Sequence, residues 1–160
     1  MNRLPIYGDL KLRHGKMELV KETTISTDIP VLSRAKEMAN FINKHLDLSN
    51  LCEEQFWIMA LNASLEPLGF FKISQGNLDT SLTNIGGIFK RLLLTNAYSF
   101  CAVHNHPSGS VIPSEADIET TKLLKQSAEL MEMQLVDHII IGKGKYRSIR
   151  KDMQDAGVWN

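Results

Sequence analysis

The sequence predicts a single α/β domain, a sandwich in which helices flank a mixed β-sheet. Three observations carry that expectation. Phe56-Trp57-Ile58-Met59-Ala60-Leu61 is a nearly continuous apolar run, of the length and bulk that suit a central strand buried on both faces. Apolar residues at Ala35, Met38, Ala39, Ile42 and Leu46 recur in steps of three and four, which marks one face of an amphipathic helix. Strand-like and helical stretches then alternate along the rest of the chain. With 160 residues the chain is long enough for one core, and no repeat, low-complexity tract or interdomain linker divides it.

Taken in order, residues 1–16 show no clear periodicity and read as an irregular N-terminal arm. Met17 to Thr24 is strand-like, and the helix follows from Pro30 to Leu46. Leu48 to Cys52 leads into the apolar strand, Asn62 to Pro67 reads as a turn and Leu68 to Ser74 as the returning strand. A loop around Gln75-Gly76-Asn77 precedes a helix with Asn84 as its N-cap and Ile85, Ile88, Phe89 and Leu92 on its buried face. Gly86 and Gly87 each weaken that helix by about 1 kcal/mol relative to alanine, and close packing against the sheet would explain them. Tyr98 to Val103 is a short buried strand. A helix runs from Ser114 to about Met131 with Ile118, Leu124, Ala128 and Met131 inward, Leu135 to Ile141 is strand-like, and Tyr146 to Arg150 forms the last strand. The expected division is an arm over 1–16, a domain over 17–150 and a tail over 151–160.

Hydrophobic residues are 43% and charged residues 22% of the chain, the balance of an ordinary globular protein. No apolar run approaches the ~20 residues of a membrane helix, and Met1-Asn2-Arg3-Leu4-Pro5 lacks a signal-peptide core, so the expectation is a cytoplasmic protein without membrane contact. Lysine plus arginine and aspartate plus glutamate both number 18, which removes the global electrostatic footprint of a dedicated nucleic-acid binder. Lys143, Lys145, Arg147, Arg150 and Lys151 crowd the C-terminal region, but short charge runs usually face water. DNA association is therefore only weakly supported, and no pattern indicates an oligomeric state. Cys52 and Cys101 are too few for a Cys₄ zinc site or a disulfide framework; neither is assigned a catalytic role.

His104-Asn105-His106, with Ser114 and Asp117 downstream, speaks most directly about chemistry. Two imidazoles at i and i+2 lie on the same side of an extended segment, about 7 Å apart along the backbone. That suits two neutral nitrogens closing on one Zn²⁺. Pro107-Ser108-Gly109-Ser110 reverses the chain, so that Asp117 can return a carboxylate oxygen to the same point. Three protein ligands leave a fourth position open, the arrangement of a catalytic rather than a structural zinc. Ser114-Glu115-Ala116-Asp117 also reads as a helix capping box, a role Ser114 can combine with the site. His14, His45 and His138 lack such company, and His138 reads as a satisfied structural histidine.

The segment His-Asn-His-Pro-Ser-Gly-Ser-Val-Ile-Pro-Ser-Glu-Ala-Asp, His104 to Asp117, resembles the signature of the RadC-like branch of JAB/MPN domains, the JAMM metallohydrolases. The resemblance spans about Met17 to Arg150 and includes Glu54-Gln55-Phe56, Ile73-Ser74-Gln75-Gly76 and Asp137-His138-Ile139-Ile140-Ile141. It implies a cytidine-deaminase-like fold, a single zinc, and an acid/base glutamate at the start of an early core strand. Glu54 matches that position; Glu53 is adjacent and points to the opposite face of an extended segment. Residues 1–16 are too few for the helix-hairpin-helix region of longer RadC-type proteins, so no DNA-binding inference carries over from it.

The resulting expectation is a metallopeptidase or isopeptidase acting on a protein or peptide. His104, His106 and Asp117 would hold the metal, Glu54 would take the proton of the attacking water, and Ser114 would help stabilise the oxyanion. Asn105 would point away to a supporting hydrogen bond. The alternative is a non-catalytic JAB/MPN interaction scaffold linked to DNA metabolism or mobile elements; the complete ligand set favours catalysis. Nucleobase deamination is disfavoured because the Pro-Cys-x-x-Cys element of zinc deaminases is missing from the sequence.

Overall fold

The structure, a computed structural model, describes residues 1–76 and 84–160. Its strands are β1 (Asn2–Arg13), β2 (Lys16–Thr27), β3 (Gln55–Leu61), β4 (Pro67–Gln75), β5 (Ser99–Asn105), β6 (Gln134–Ile141) and β7 (Tyr146–Ser148). Its helices are α1 (Ala35–Leu46), α2 (Ile85–Leu94), α3 (Glu115–Leu130) and α4 (Ile149–Asp155). The strands form one seven-stranded sheet in the order β2-β1-β4-β3-β5-β6-β7. β1 runs parallel to β4 and β5 parallel to β6, while the other neighbours are antiparallel. The mixed α/β sandwich expected from the sequence is therefore present.

Side-chain alternation along β3 builds both layers at once. Phe56, Ile58 and Ala60 pack with Leu92 of α2, Leu124 of α3 and Met153 of α4. Trp57, Met59 and Leu61 pack on the opposite face with Met38 and Ile42 of α1. β5 lies between β3 and β6 with every residue buried, so the side chains at its C-terminal end are carried on the most completely covered strand of the sheet.

Residues 2–13 are not an irregular lead-in but a full strand. Leu4 is buried, and Ile6 and Tyr7 pair with Phe70 and Phe71 of β4. The strand escaped notice because its register with β2 shifts twice and its far half is largely exposed, which leaves no clean alternation to read. The reversal into β2 is carried by His14 and Gly15, both at positive φ, the backbone of a two-residue hairpin turn.

Helix α1 begins at Ala35 rather than Pro30, and Phe41 joins its buried face. Glu37 accepts from the backbone N–H groups of Ser33 and Arg34, which fixes that start. Asn84 is the N-cap of α2, accepting from Gly87 N at 3.1 Å. Gly87 serves this cap and not the sheet: a Cβ there would lie 2.2 Å from Asn84 Oδ1, whereas a Cβ on Gly86 meets nothing within 4 Å. Met131, expected inside, is the exposed C-cap of α3. Asn77, part of the loop expected after β4, lies outside the described residues.

The end of the chain also departs from expectation. The last strand stops at Ser148, whose hydroxyl accepts from Lys151 N and starts α4. Asp137 secures that turn by accepting from Ser148 Oγ at 2.7 Å and Arg150 N at 3.2 Å. Residues expected as a tail thus form a helix followed by Trp159, which is buried in the core with Lys125 and Arg150 over its ring. Trp159→Ala is expected to lower unfolding free energy by about 3 kcal/mol in a urea titration. A change within ~0.5 kcal/mol, the usual effect at a solvent-facing site, would contradict this packing.

Candidate metal centre

The site assembles where β5 ends and α3 begins. His104 is the penultimate residue of β5 and is fully buried. His106 lies just past the strand, held to β6 by its backbone N–H on the Ile141 carbonyl at 3.0 Å. The chain then turns: Gly109 N–H donates to the His106 carbonyl, and Gly109 adopts φ 83°, a conformation that glycine takes without penalty. The β6–β7 turn closes over this loop, so tightly that a Cβ on Gly142 would lie 2.5 Å from the Gly109 carbonyl oxygen.

The capping box at the start of α3 is complete. Ser114 N donates to Asp117 Oδ2 at 2.8 Å and Asp117 N donates to Ser114 Oγ at 3.1 Å. Asp117 Oδ1 is left to face His104, and Oδ2 also comes near His106. His104 Nε2 is 3.0 Å from His106 Nε2 and 3.2 Å from Asp117 Oδ1; His106 Nε2 is 3.5 Å from Asp117 Oδ2. Glu54 Oε1 stands slightly farther off, 4.0 Å from His104 Nε2 and 3.8 Å from His106 Nε2. Glu54, His104 and His106 form a group able to hold a metal ion, and Asp117 touches both of its histidines.

The donor chemistry fits a cation. His106 Nδ1 is 3.1 Å from the Ser110 carbonyl oxygen. A carbonyl only accepts, so Nδ1 carries the proton and the neutral ring presents a bare Nε2 to the centre. His104 Nε2 lies 3.0 Å from His106 Nε2 and 3.2 Å from Asp117 Oδ1, both close to the ~3.3 Å edge of a tetrahedron with bonds of about 2.0–2.1 Å.

The two carboxylates differ in environment. Burial alone would raise the Asp117 carboxyl, but its contact with His104 and its bonds with Ser114 hold it well below the usual range. Glu54 is pushed up by burial, with His104 opposing and Asp117 reinforcing. Burial and the neighbouring His104 lower the His106 pKa, against the pull of Asp117 and the Ser110 carbonyl. One carboxyl is thus pulled down beside the histidines while the other is pushed up.

Glu54, and not Glu53, reaches the centre; Glu53 is exposed and accepts from Gln75 Nε2 at 2.9 Å. Asn105 points to the other side of β5 and brackets the glutamate. Its Oδ1 accepts from Gln55 N at 2.7 Å and its Nδ2 donates to the Glu53 carbonyl at 3.0 Å. A cavity of about 400 Å³ opens at this point, lined by Cys52, Glu53, Glu54, Gly76, His106, Pro107 and Ser108. Gly76 therefore borders the cleft, and Gly142 and Lys143 back its histidine loop. In the basic C-terminal cluster, Arg147 pairs with Asp152, Lys151 with Asp155, and Arg150 covers Trp159.

Residues 32–154 match the RadC-like JAB domain. The chain belongs to that family. A UPF0758 protein of Coprothermobacter proteolyticus is 36% identical over 141 residues, covering 88% of this chain and 60% of its own length. A UPF0758 protein of Bacillus licheniformis is 36% identical over 121 residues, 76% of this chain and 53% of the relative. One from Staphylococcus haemolyticus is 38% identical over 102 residues, 64% and 45% of the two chains. The RadC-like chain thus spans about half the length of these curated relatives. No helix among its described residues is long and apolar enough to cross a membrane.

Two polar residues beside the centre had drawn little notice in the sequence. His138, read as structural, bonds His104 directly: their Nε2 and Nδ1 atoms are 2.8 Å apart. Thr121, not singled out at all, meets His138 Nδ1 at 2.6 Å. The available signal was spacing, since Thr121 follows Asp117 by four residues and so shares its helix face.

Full burial drives the His138 pKa well below its usual value, with the neighbouring His104 adding to the effect. The unfolded chain then binds a proton near pH 6.5 that the folded chain refuses, so stability conferred by neutral His138 is present above that pH and lost as pH falls below it. The metal-free protein is expected to lose thermal stability between pH 8 and 5.5, and His138→Gln to shrink that slope by about one proton. Equal slopes in the two proteins would contradict the assignment.

Proposed function

We propose that this domain is a zinc-dependent hydrolase of amide bonds, a metallopeptidase or isopeptidase acting on a protein or peptide. The observation that carries the reading is the meeting of two imidazole nitrogens and the Asp117 carboxylate within 3.5 Å, with the Glu54 carboxyl beside them, at the edge of a cavity. Two nitrogens and one oxygen with a position left over is the donor set of catalytic rather than structural zinc. When bound, zinc supplies a Lewis acid that polarises a carbonyl and brings the pKa of a water toward ~7.

The protein groups divide the remaining work. His104, His106 and Asp117 would hold the ion. Glu54 takes the proton from the attacking water and returns it to the nitrogen of the leaving amine, for which its raised pKa suits it. Asn105 keeps Glu54 in place through the backbone on either side of it. Ser114 accepts the cap bond at Oγ, which leaves its own proton to donate to the oxyanion of the tetrahedral intermediate. Loss of one such donor typically costs about 10²–10³ in rate.

Glu54→Gln separates chemistry from metal binding. On a panel of peptide and isopeptide-linked fluorogenic substrates it is expected to keep its zinc and lose at least ~10²-fold in turnover. Undiminished turnover on a substrate that the wild type cleaves would remove Glu54 from the mechanism.

A further inference from the structure

The other nitrogen of His104 leads into a line of buried polar groups. His104 Nδ1 is 2.8 Å from His138 Nε2, His138 Nδ1 is 2.6 Å from Thr121 Oγ1, and Thr121 Oγ1 is 2.7 Å from the Asp117 carbonyl oxygen. All three side chains are at most 1% exposed, so each bond takes its direction from protein groups. Phe56 packs edge-on against His138 at 5.5 Å between centroids and stacks on His104 at 6.2 Å.

The directions can be read from one fixed end. A carbonyl oxygen has no proton, so Thr121 donates its single hydroxyl proton to Asp117. The hydroxyl can then offer His138 only a lone pair, and His138 Nδ1 must carry the hydrogen between them. A neutral imidazole has one N–H, which makes His138 Nε2 an acceptor and His104 Nδ1 a donor. His104 consequently turns an unprotonated Nε2 toward His106 and Asp117.

We infer that Thr121 and His138 are positioning residues of the metal centre, which fix His104 in the tautomer that presents a bare Nε2. The inference rests on the metal-site reading above and extends it to two residues that touch neither the cavity nor the ion. A histidine ligand commonly donates its second N–H to a carboxylate or carbonyl. Here the acceptor is a neutral ring whose own accepting nitrogen is selected by a threonine. No second negative charge is placed behind the ion. The threonine also sits one turn beyond Asp117 on α3, so a single hydroxyl ties the turn bearing one ligand to the side chain orienting another.

Thr121→Val removes the hydroxyl at nearly constant volume, and Thr121→Ser restores it. Long-range ¹H–¹⁵N correlation spectra of the metal-free wild type are expected to show His104 and His138 both protonated on Nδ1. Competition with a chromophoric chelator should find zinc bound roughly 10–100-fold more weakly by Thr121→Val, with Thr121→Ser returning toward wild type. A wild-type His138 protonated on Nε2, or a folded Thr121→Val with unchanged zinc affinity, would overturn the inference. If the wild type took up no zinc yet showed both Nδ1 protons, the tautomer assignment would stand and the zinc reading would fall. If Thr121→Val failed to fold, the wild-type spectrum alone would decide.

Discussion

Ser114 and Asp117 exchange two hydrogen bonds at the first turn of α3, and this exchange sets where the centre can form. It divides the labour of one carboxylate. Oδ2 satisfies a backbone donor at the helix start and stands 3.5 Å from His106 Nε2, while Oδ1 is left facing His104 Nε2. A helix N-terminus favours negative charge, so the same turn that positions Asp117 also helps to keep it ionised. A rotation of α3 away from this start would withdraw Asp117 and Thr121 together, because both project from one face of the helix.

The sheet supplies rigidity from the other direction. β5 is held between an antiparallel and a parallel neighbour, and its alternation sends His104 to the α3 layer and Asn105 to the opposite side. Neighbouring residues on one strand thereby do different jobs: His104 faces the centre, and Asn105 clamps the backbone around Glu54. His104 and Glu54 are thus referenced to the same pair of central strands. The cavity wall is more variable in origin, since the 52–54 and 106–108 segments and Gly76 meet there from three separate connections.

The parts of the molecule legible in the sequence were those with strong periodicity or an unusual local pattern. The apolar run of β3, the helical faces of α1 and α2, and the His-x-His spacing each announced themselves within a few residues. Glu54 could be told from Glu53 only through the family resemblance and strand alternation, and the structure puts Glu54 within 4.0 Å of the histidines. β1 was not legible because a partly exposed strand with shifted register shows no single period. The closing helix was hidden for a different reason: Asp137, distant in sequence, supplies bonds that stabilise its start. The His138–Thr121 pair depends on β6 and α3 meeting in space, a contact that spacing along one element does not contain.

If His104, His106 and Asp117 together hold a metal ion, the metal content of the purified protein must depend on them. Wild-type protein purified without added metal, with His106→Ala and Asp117→Ala beside it, would be analysed by inductively coupled plasma mass spectrometry. About one zinc per wild-type chain is expected, with loss of that zinc in both variants. Wild-type protein that holds no zinc and takes none up on titration, or variants that retain it in full, would show that these residues are not the ligands of a metal.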